Sequence, residues 1–265
     1  MPLASAGNVV INYRLDGDEG SPWLVLSNGL GLDLTMWEPQ VAALAREFRV
    51  LRYDSRGHGG SPAPAGSSTI ADLGHDVLAL LDHAGVEHAH FCGFSMGGMT
   101  GQWLGIHAPQ RVSRLVLAHT AARIGPVSMW NERIATVNAR GMAAISGAAM
   151  ERWFTPGFLA GEHPIVGALK GVFERNSAIG YVQCCAAVRD ADFRDRLAQI
   201  RVPTLVISGS RDAATTAADG RFLADSIAAA RFVEIDSAHL SNIERPAEFT
   251  AALMSFLCQE SEQPA

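Results

Sequence analysis

His90-Phe91-Cys92-Gly93-Phe94-Ser95-Met96-Gly97-Gly98-Met99 is the stretch on which the fold turns. An apolar run with strand character enters it, and a helix-like pattern from Met99 to His107 leaves it. Between them stands Gly-x-Ser-x-Gly, with Ser95 at its centre. A serine hydroxyl is a poor nucleophile unless a base removes its proton, and it must stand clear of its own backbone. A sharp strand-to-helix turn achieves this, and glycines two before and two after the serine relieve the crowding such a turn creates. By composition alone the bare pattern would occur in roughly one in ten chains of this size. What gives it meaning is its position between a strand and a helix, where Ser95 becomes a candidate nucleophile.

Outward from this turn, short apolar runs alternate with helical patterns, as βα units and a mostly parallel sheet require. The strand candidates are Trp23 to Ser27, Arg49 to Asp54, His90 to Phe94, Leu115 to His119, Thr204 to Ser208 and Arg231 to Asp236. They read as near-continuous apolar runs, the mark of parallel strands covered on both faces. From Ile70 to Ala84 the apolar residues Ile70, Leu73, Val77, Leu80, Leu81 and Ala84 share one helical face, with Thr69 as N-cap and Gly85 as stop. Residues 121–197 break the alternation, since their patterning is helical throughout. The expectation is an α/β core of residues 1–120 and 198–265, a mostly parallel central sheet flanked by helices, with 121–197 inserted as a helical lid over one edge.

A nucleophilic serine needs a base and a group to orient that base, and in a strand-turn-helix setting the acid and the histidine follow the serine in the chain. Of the 9 histidines, His239 fits best, just past the late strand ending at Asp236. His58 lies in a glycine-rich turn, His75 and His83 on a helix, and His119 at a strand end. For the acid, Asp212 follows the strand Thr204 to Ser208 through Gly209-Ser210-Arg211, where a carboxylate can hold an imidazole in its productive tautomer. Asp236 is the runner-up. An oxyanion hole needs two backbone N–H groups. Met96, next after the nucleophile, is one candidate, and Leu30 in the loop Ser27-Asn28-Gly29-Leu30-Gly31 is the other. That loop is not a dinucleotide fingerprint, because Leu34 stands where a third glycine belongs.

Composition bounds the rest. The chain has 265 residues, 48% hydrophobic and 18% charged, enough for one large domain with a substantial core. A net charge of −6 argues against a nucleic-acid partner and obliges any anionic substrate to find a local positive site. No apolar run approaches the roughly 20 residues that span a bilayer, and the opening residues lack the features of a secretory signal. Cys92, Cys184, Cys185 and Cys258 show no metal-type spacing and read as reduced thiols in a cytoplasmic protein.

These residues resemble the α/β-hydrolases, and beyond the fold they resemble the 3-oxoadipate enol-lactone hydrolases. The resemblance is carried by SNGLGLDLTMW (27–37), LRYDSRGHGGS (51–61) and FCGFSMGG (91–98). More specific are TAARIGPVSMWNER (120–133), ERWFTP (151–156), GYVQCCAAVRDAD (180–192) and DSAHLSNIERP (236–246). Gly29 stands where such enzymes more often have serine, and Ser55 where they often have threonine. The resemblance implies hydrolysis of a five-membered enol-lactone bearing a carboxymethyl arm, with no metal or organic cofactor. For the anionic arm the candidates are Arg133 and Trp130, three apart on a helix and so on one face, with the Trp130 ring as a wall and its indole N–H as a donor. A C–C bond hydrolase of ring-cleavage products or a general esterase would share the Ser, Asp and His. A dehalogenase or epoxide hydrolase would carry aspartate at position 95, and a non-catalytic binding module would have no need of all three.

Overall fold

The computed structural model describes residues 2–6, 9–228 and 230–259. Its centre is strand β5 (Ala89–Phe94), which leads into Ser95 and whose last four residues are buried. The strands before it are β1 (Leu3–Ala6), β2 (Val9–Asp16), β3 (Trp23–Ser27) and β4 (Arg49–Tyr53). After it come β6 (Val112–Ala118), β7 (Thr204–Gly209) and β8 (Arg231–Ile235). They form an 8-stranded sheet in the order β1-β2-β4-β3-β5-β6-β7-β8. From β4 onward every pairing is parallel, while β1 with β2 and β2 with β4 are antiparallel.

The six strands expected from the sequence are present with ends moved by a few residues at most. The antiparallel pair β1 and β2 went unread because β2 is only partly buried and never becomes a continuous apolar run. The polar tail after Cys258 lies, from residue 260 on, outside the described residues.

Helices α1 (Glu38–Leu44), α2 (Ile70–His83) and α3 (Met96–His107) connect the early strands. Thr69 caps α2 as its sequence suggests, in a reciprocal capping box with Asp72. Between β6 and β7 the described chain forms only helices: α4 (Val127–Arg140), α5 (Ala143–Trp153), α6 (Pro156–Ala160), α7 (Pro164–Arg175) and α8 (Ala178–Asp190), plus a short 3-10 turn. Helices α9 (Ala217–Ser226), α10 (Ser241–Glu244) and α11 (Pro246–Leu257) complete the chain. Among the described residues no helix is long and apolar enough to cross a membrane.

The helical segment is stitched to the sheet at several points. Its backbone meets the loop after β4 at Gly57 and Gly180, so closely that a Cβ on Gly57 would lie 2.5 Å from the Gly180 Cα. The Leu240 N–H donates to the Trp153 carbonyl at 2.9 Å, and Thr155 donates through its N–H and hydroxyl to the buried Glu244 carboxylate.

Candidate active site

The turn after β5 holds Ser95 at φ 54 and ψ −110, a conformation that L-residues rarely adopt. Its N–H donates to the Ala118 carbonyl at 2.8 Å, and its own carbonyl accepts from the Met99 N–H at 3.1 Å and the Thr120 hydroxyl at 2.8 Å. The flanking glycines are steric necessities. A Cβ on Gly93 would sit 2.0 Å from the Gly97 carbonyl oxygen, and one on Gly97 would sit 2.5 Å from that of Ser27. Both contacts are far inside van der Waals distance, so the strain at Ser95 is held by the chain around it.

At the same edge of the sheet, the loop after β7 carries Asp212 and the loop after β8 carries His239, both buried. His239 Nδ1 lies 2.7 Å from Asp212 Oδ2. A second imidazole shares that oxygen: His119 Nδ1 is 2.9 Å away, and His119 Nε2 is 2.6 Å from the Ser241 hydroxyl. Oδ2 also accepts the Thr215 hydroxyl at 2.9 Å, while Oδ1 accepts the N–H groups of Ala214 and Thr215 at 2.8 and 3.0 Å. Burial would raise the Asp212 carboxyl, but the His239 charge and the hydrogen bonds from His119 and His239 outweigh it and hold the group well below the usual carboxylate range. With Asp212 ionised, each Nδ1 donates to it. His119, fully buried, is pushed down by desolvation and stays neutral, so its Nε2 accepts from Ser241.

His119, Asp212 and His239 place one possible ligand atom each within 4.8 Å, a spacing a metal ion could bridge. The N–H···O bonds from both Nδ1 atoms to one carboxylate oxygen account for that proximity, and they use the protons a metal would displace. The sequence set His119 aside as a strand end. The signal that identifies it is strand order: β6 lies beside β7, so the residue after β6 faces the residues after β7. Asp236, the other candidate acid, is exposed and paired with Arg211 at 2.7 Å.

The loop after β3 lies across from Ser95. Among the described residues neither the Leu30 nor the Met96 N–H has a hydrogen-bond partner. The next residue is gripped on both sides. Gly31 N–H donates to His58 Nε2 at 2.9 Å, and Gly31 carbonyl accepts from the Asn176 amide at 2.8 Å. Burial pushes His58 down to about 4, so Nε2 keeps the lone pair that this bond needs. A Cβ on Gly29 would meet Phe94, Leu32 and Ser95 at 3.5 to 3.7 Å, ordinary contact, so neither crowding nor looseness follows from glycine there.

Ser95 and His239 both line a cavity of about 230 Å³. Leu30, Phe94 and Thr215 complete its sheet side, and Met129, Trp130, Arg133, Arg152, Trp153, Phe173 and Tyr181 form its helical wall. Trp130 is a wall, but its indole N–H is not available as the sequence suggested, because it donates to the Ile124 carbonyl at 2.6 Å. The Arg133 guanidinium lies 4.6 Å from the centroid of the Trp130 ring, the stacking that their spacing on α4 permits. Arg152, on α5, was not singled out from the sequence.

A family profile for the α/β-hydrolase fold matches residues 22–139. Over 249 residues the chain is 43% identical to 3-oxoadipate enol-lactonase 2 of Acinetobacter baylyi, covering 94% of this chain and 93% of that protein. It is 41% identical to 3-oxoadipate enol-lactonase 1 of the same organism, covering 93% and 92%. The solved enol-lactonase from Burkholderia xenovorans LB400 superposes with a TM-score of 0.96 at 46% identity, covering 97% of this chain and 100% of that one. On these likenesses, the chain belongs to the enol-lactonase family of α/β-hydrolases.

Proposed function

We propose that this protein opens 3-oxoadipate enol-lactone to 3-oxoadipate, a step of aromatic compound breakdown by the β-ketoadipate route, through an acyl-enzyme on Ser95. The observation that carries the reading is a strained, outward-facing serine sharing one small cavity with a carboxylate-held histidine and two arginines. Residues 121–197 act as a lid on a core formed by 1–120 and 198–265, so that sheet loops supply the chemistry and lid helices the substrate contacts. The cavity falls below the roughly 300–1,000 Å³ of drug-sized ligand sites, which suits a small ring better than a long acyl chain. No metal or organic cofactor has a step to perform in this scheme. The reduced, mostly buried cysteines fit a cytoplasmic enzyme.

Ser95 Oγ attacks the lactone carbonyl while His239 Nε2 takes its proton. Asp212 keeps Nδ1–H pointed at itself and stabilises the imidazolium. The Leu30 and Met96 N–H groups receive the negative oxygen. Collapse breaks the ring C–O bond, His239 returns its proton to the enol oxygen, and the enol becomes a ketone. The product is still esterified to Ser95. Water, deprotonated by His239, then attacks the ester and releases 3-oxoadipate, restoring the Ser95 hydroxyl. Arg133 and the Trp130 face border the carboxymethyl arm.

Loss of the enol-lactone's ultraviolet absorbance tests the reading. The wild type is expected to consume the lactone, and Ser95→Ala to lower kcat by about a million-fold. Equal rates for both proteins would remove Ser95 from the mechanism, and a wild type inert on the lactone would remove the substrate.

A further inference from the structure

Buried arginines elsewhere in this molecule have carboxylate partners. Arg52 meets Asp16 at 2.7 Å and Glu38 at 3.0 Å, and Arg56 meets Asp76 at 2.7 Å. In the cavity wall the pattern fails. Among the described residues, Arg152 has no hydrogen bond and no ion pair, although its side chain is half-buried and lines the same cavity as Ser95. Its charged neighbour in the cavity is another cation, Arg133. Burial first, and repulsion by Arg133 second, lower its pKa, while Tyr181 and Glu151 act weakly the other way. Arg133 is better satisfied, since its guanidinium stacks on the Trp130 ring at 4.6 Å from the centroid.

Two guanidiniums lining one small cavity repel each other, even in a protein of net charge −6. An anion between them removes both the repulsion and the unmet donors. We propose that Arg152 is the principal anchor of the substrate's free carboxylate and that Arg133 is its auxiliary. This assignment rests on the lactonase reading above and reverses the priority that helical spacing alone suggested. The planar fork of Arg152, with no protein group on any of its donors, can take a carboxylate through two parallel N–H···O bonds, whereas Arg133 is already stacked on an aromatic face. The ligand class is a short monocarboxylate arm carried on a ring small enough to reach Ser95.

The test compares two enol-lactones, one with the carboxymethyl arm and one with a methyl group in its place, on the same protein preparations. The ratio of their kcat/KM values is expected to fall about 100-fold in Arg152→Ala, chiefly through KM, and about tenfold in Arg133→Ala. Arg152→Lys should recover part of the loss. A ratio unmoved by Arg152→Ala, or moved more by Arg133→Ala, overturns the assignment and leaves the lactonase reading standing. Butanoate and butanamide titrated into Ser95→Ala protein, followed by saturation-transfer NMR, separate the two ideas further. Butanoate binding that vanishes when Arg152→Ala is added supports the anchor whatever lactone is hydrolysed. Butanoate binding that persists there, or butanamide binding equally well, overturns it.

Discussion

The two sides of the cavity treat charge in opposite ways. On the sheet side, Asp212 receives five hydrogen bonds within 3.0 Å, and one of its donors, His119, is held in turn by the Ser241 hydroxyl. On the helical side, Arg152 has no partner among the described residues and Arg133 has only an aromatic face. Groups that handle protons must be in place before the substrate arrives, because geometry a fraction of an ångström out costs rate. On the proposed reading, groups that recognise the substrate are left incomplete, and the substrate completes them.

The largest effect that can break this contrast is at Asp212. Asp212→Asn presents an N–H where His239 needs an acceptor and is expected to lower kcat roughly ten-thousand-fold with little change in KM. A rise in KM instead would place Asp212 among the recognition groups. Next is the pH dependence of stability. His58 is about 4 in the fold and near 6.5 when unfolded, so the unfolded chain binds the extra proton first as the pH falls. The stability that His58 contributes is therefore complete above about pH 6.5 and is lost toward pH 4, by ~3 kcal/mol. Urea unfolding across that range should show the slope in the wild type and a flatter profile in His58→Gln.

A smaller effect sharpens the boundary between the two sides. Gly180→Ala would drive a methyl into the Gly57 backbone and should cost about 1–3 kcal/mol in thermal unfolding. The smallest concerns the second imidazole. His119→Leu should lower kcat about tenfold at nearly constant KM, and should remove one of two low-field ring N–H proton signals. Retention of both signals would show that His119 does not donate to Asp212.

The sheet was largely legible because buried parallel strands write themselves as apolar runs, and the elbow at Ser95 because its two glycines are demanded by local crowding. Chain order makes Asp212 and His239 the candidates, and the structure brings that imidazole to that carboxylate. His119, Asn176 and Arg152 were not legible. Each derives its meaning from a neighbour more than 50 residues or a whole element away, and nothing in its local pattern distinguishes it from a strand end, a helix end or a solvated helix face. The indole of Trp130 misled for the same reason, since its acceptor is a loop carbonyl that no helical periodicity reveals.

The double grip on Gly31 has a practical consequence. One hand of that grip, Asn176, belongs to the helical segment, and the Gly57–Gly180 approach sits a few residues further on. Anyone retargeting this scaffold by transplanting a foreign set of helices would inherit both constraints. A graft that drops the amide at 176 or the glycine at 180 would disturb the loop at Gly31 as well as the cavity lining, whereas one confined to 127–153 would exchange the arginine wall and leave that loop's two hydrogen bonds in place.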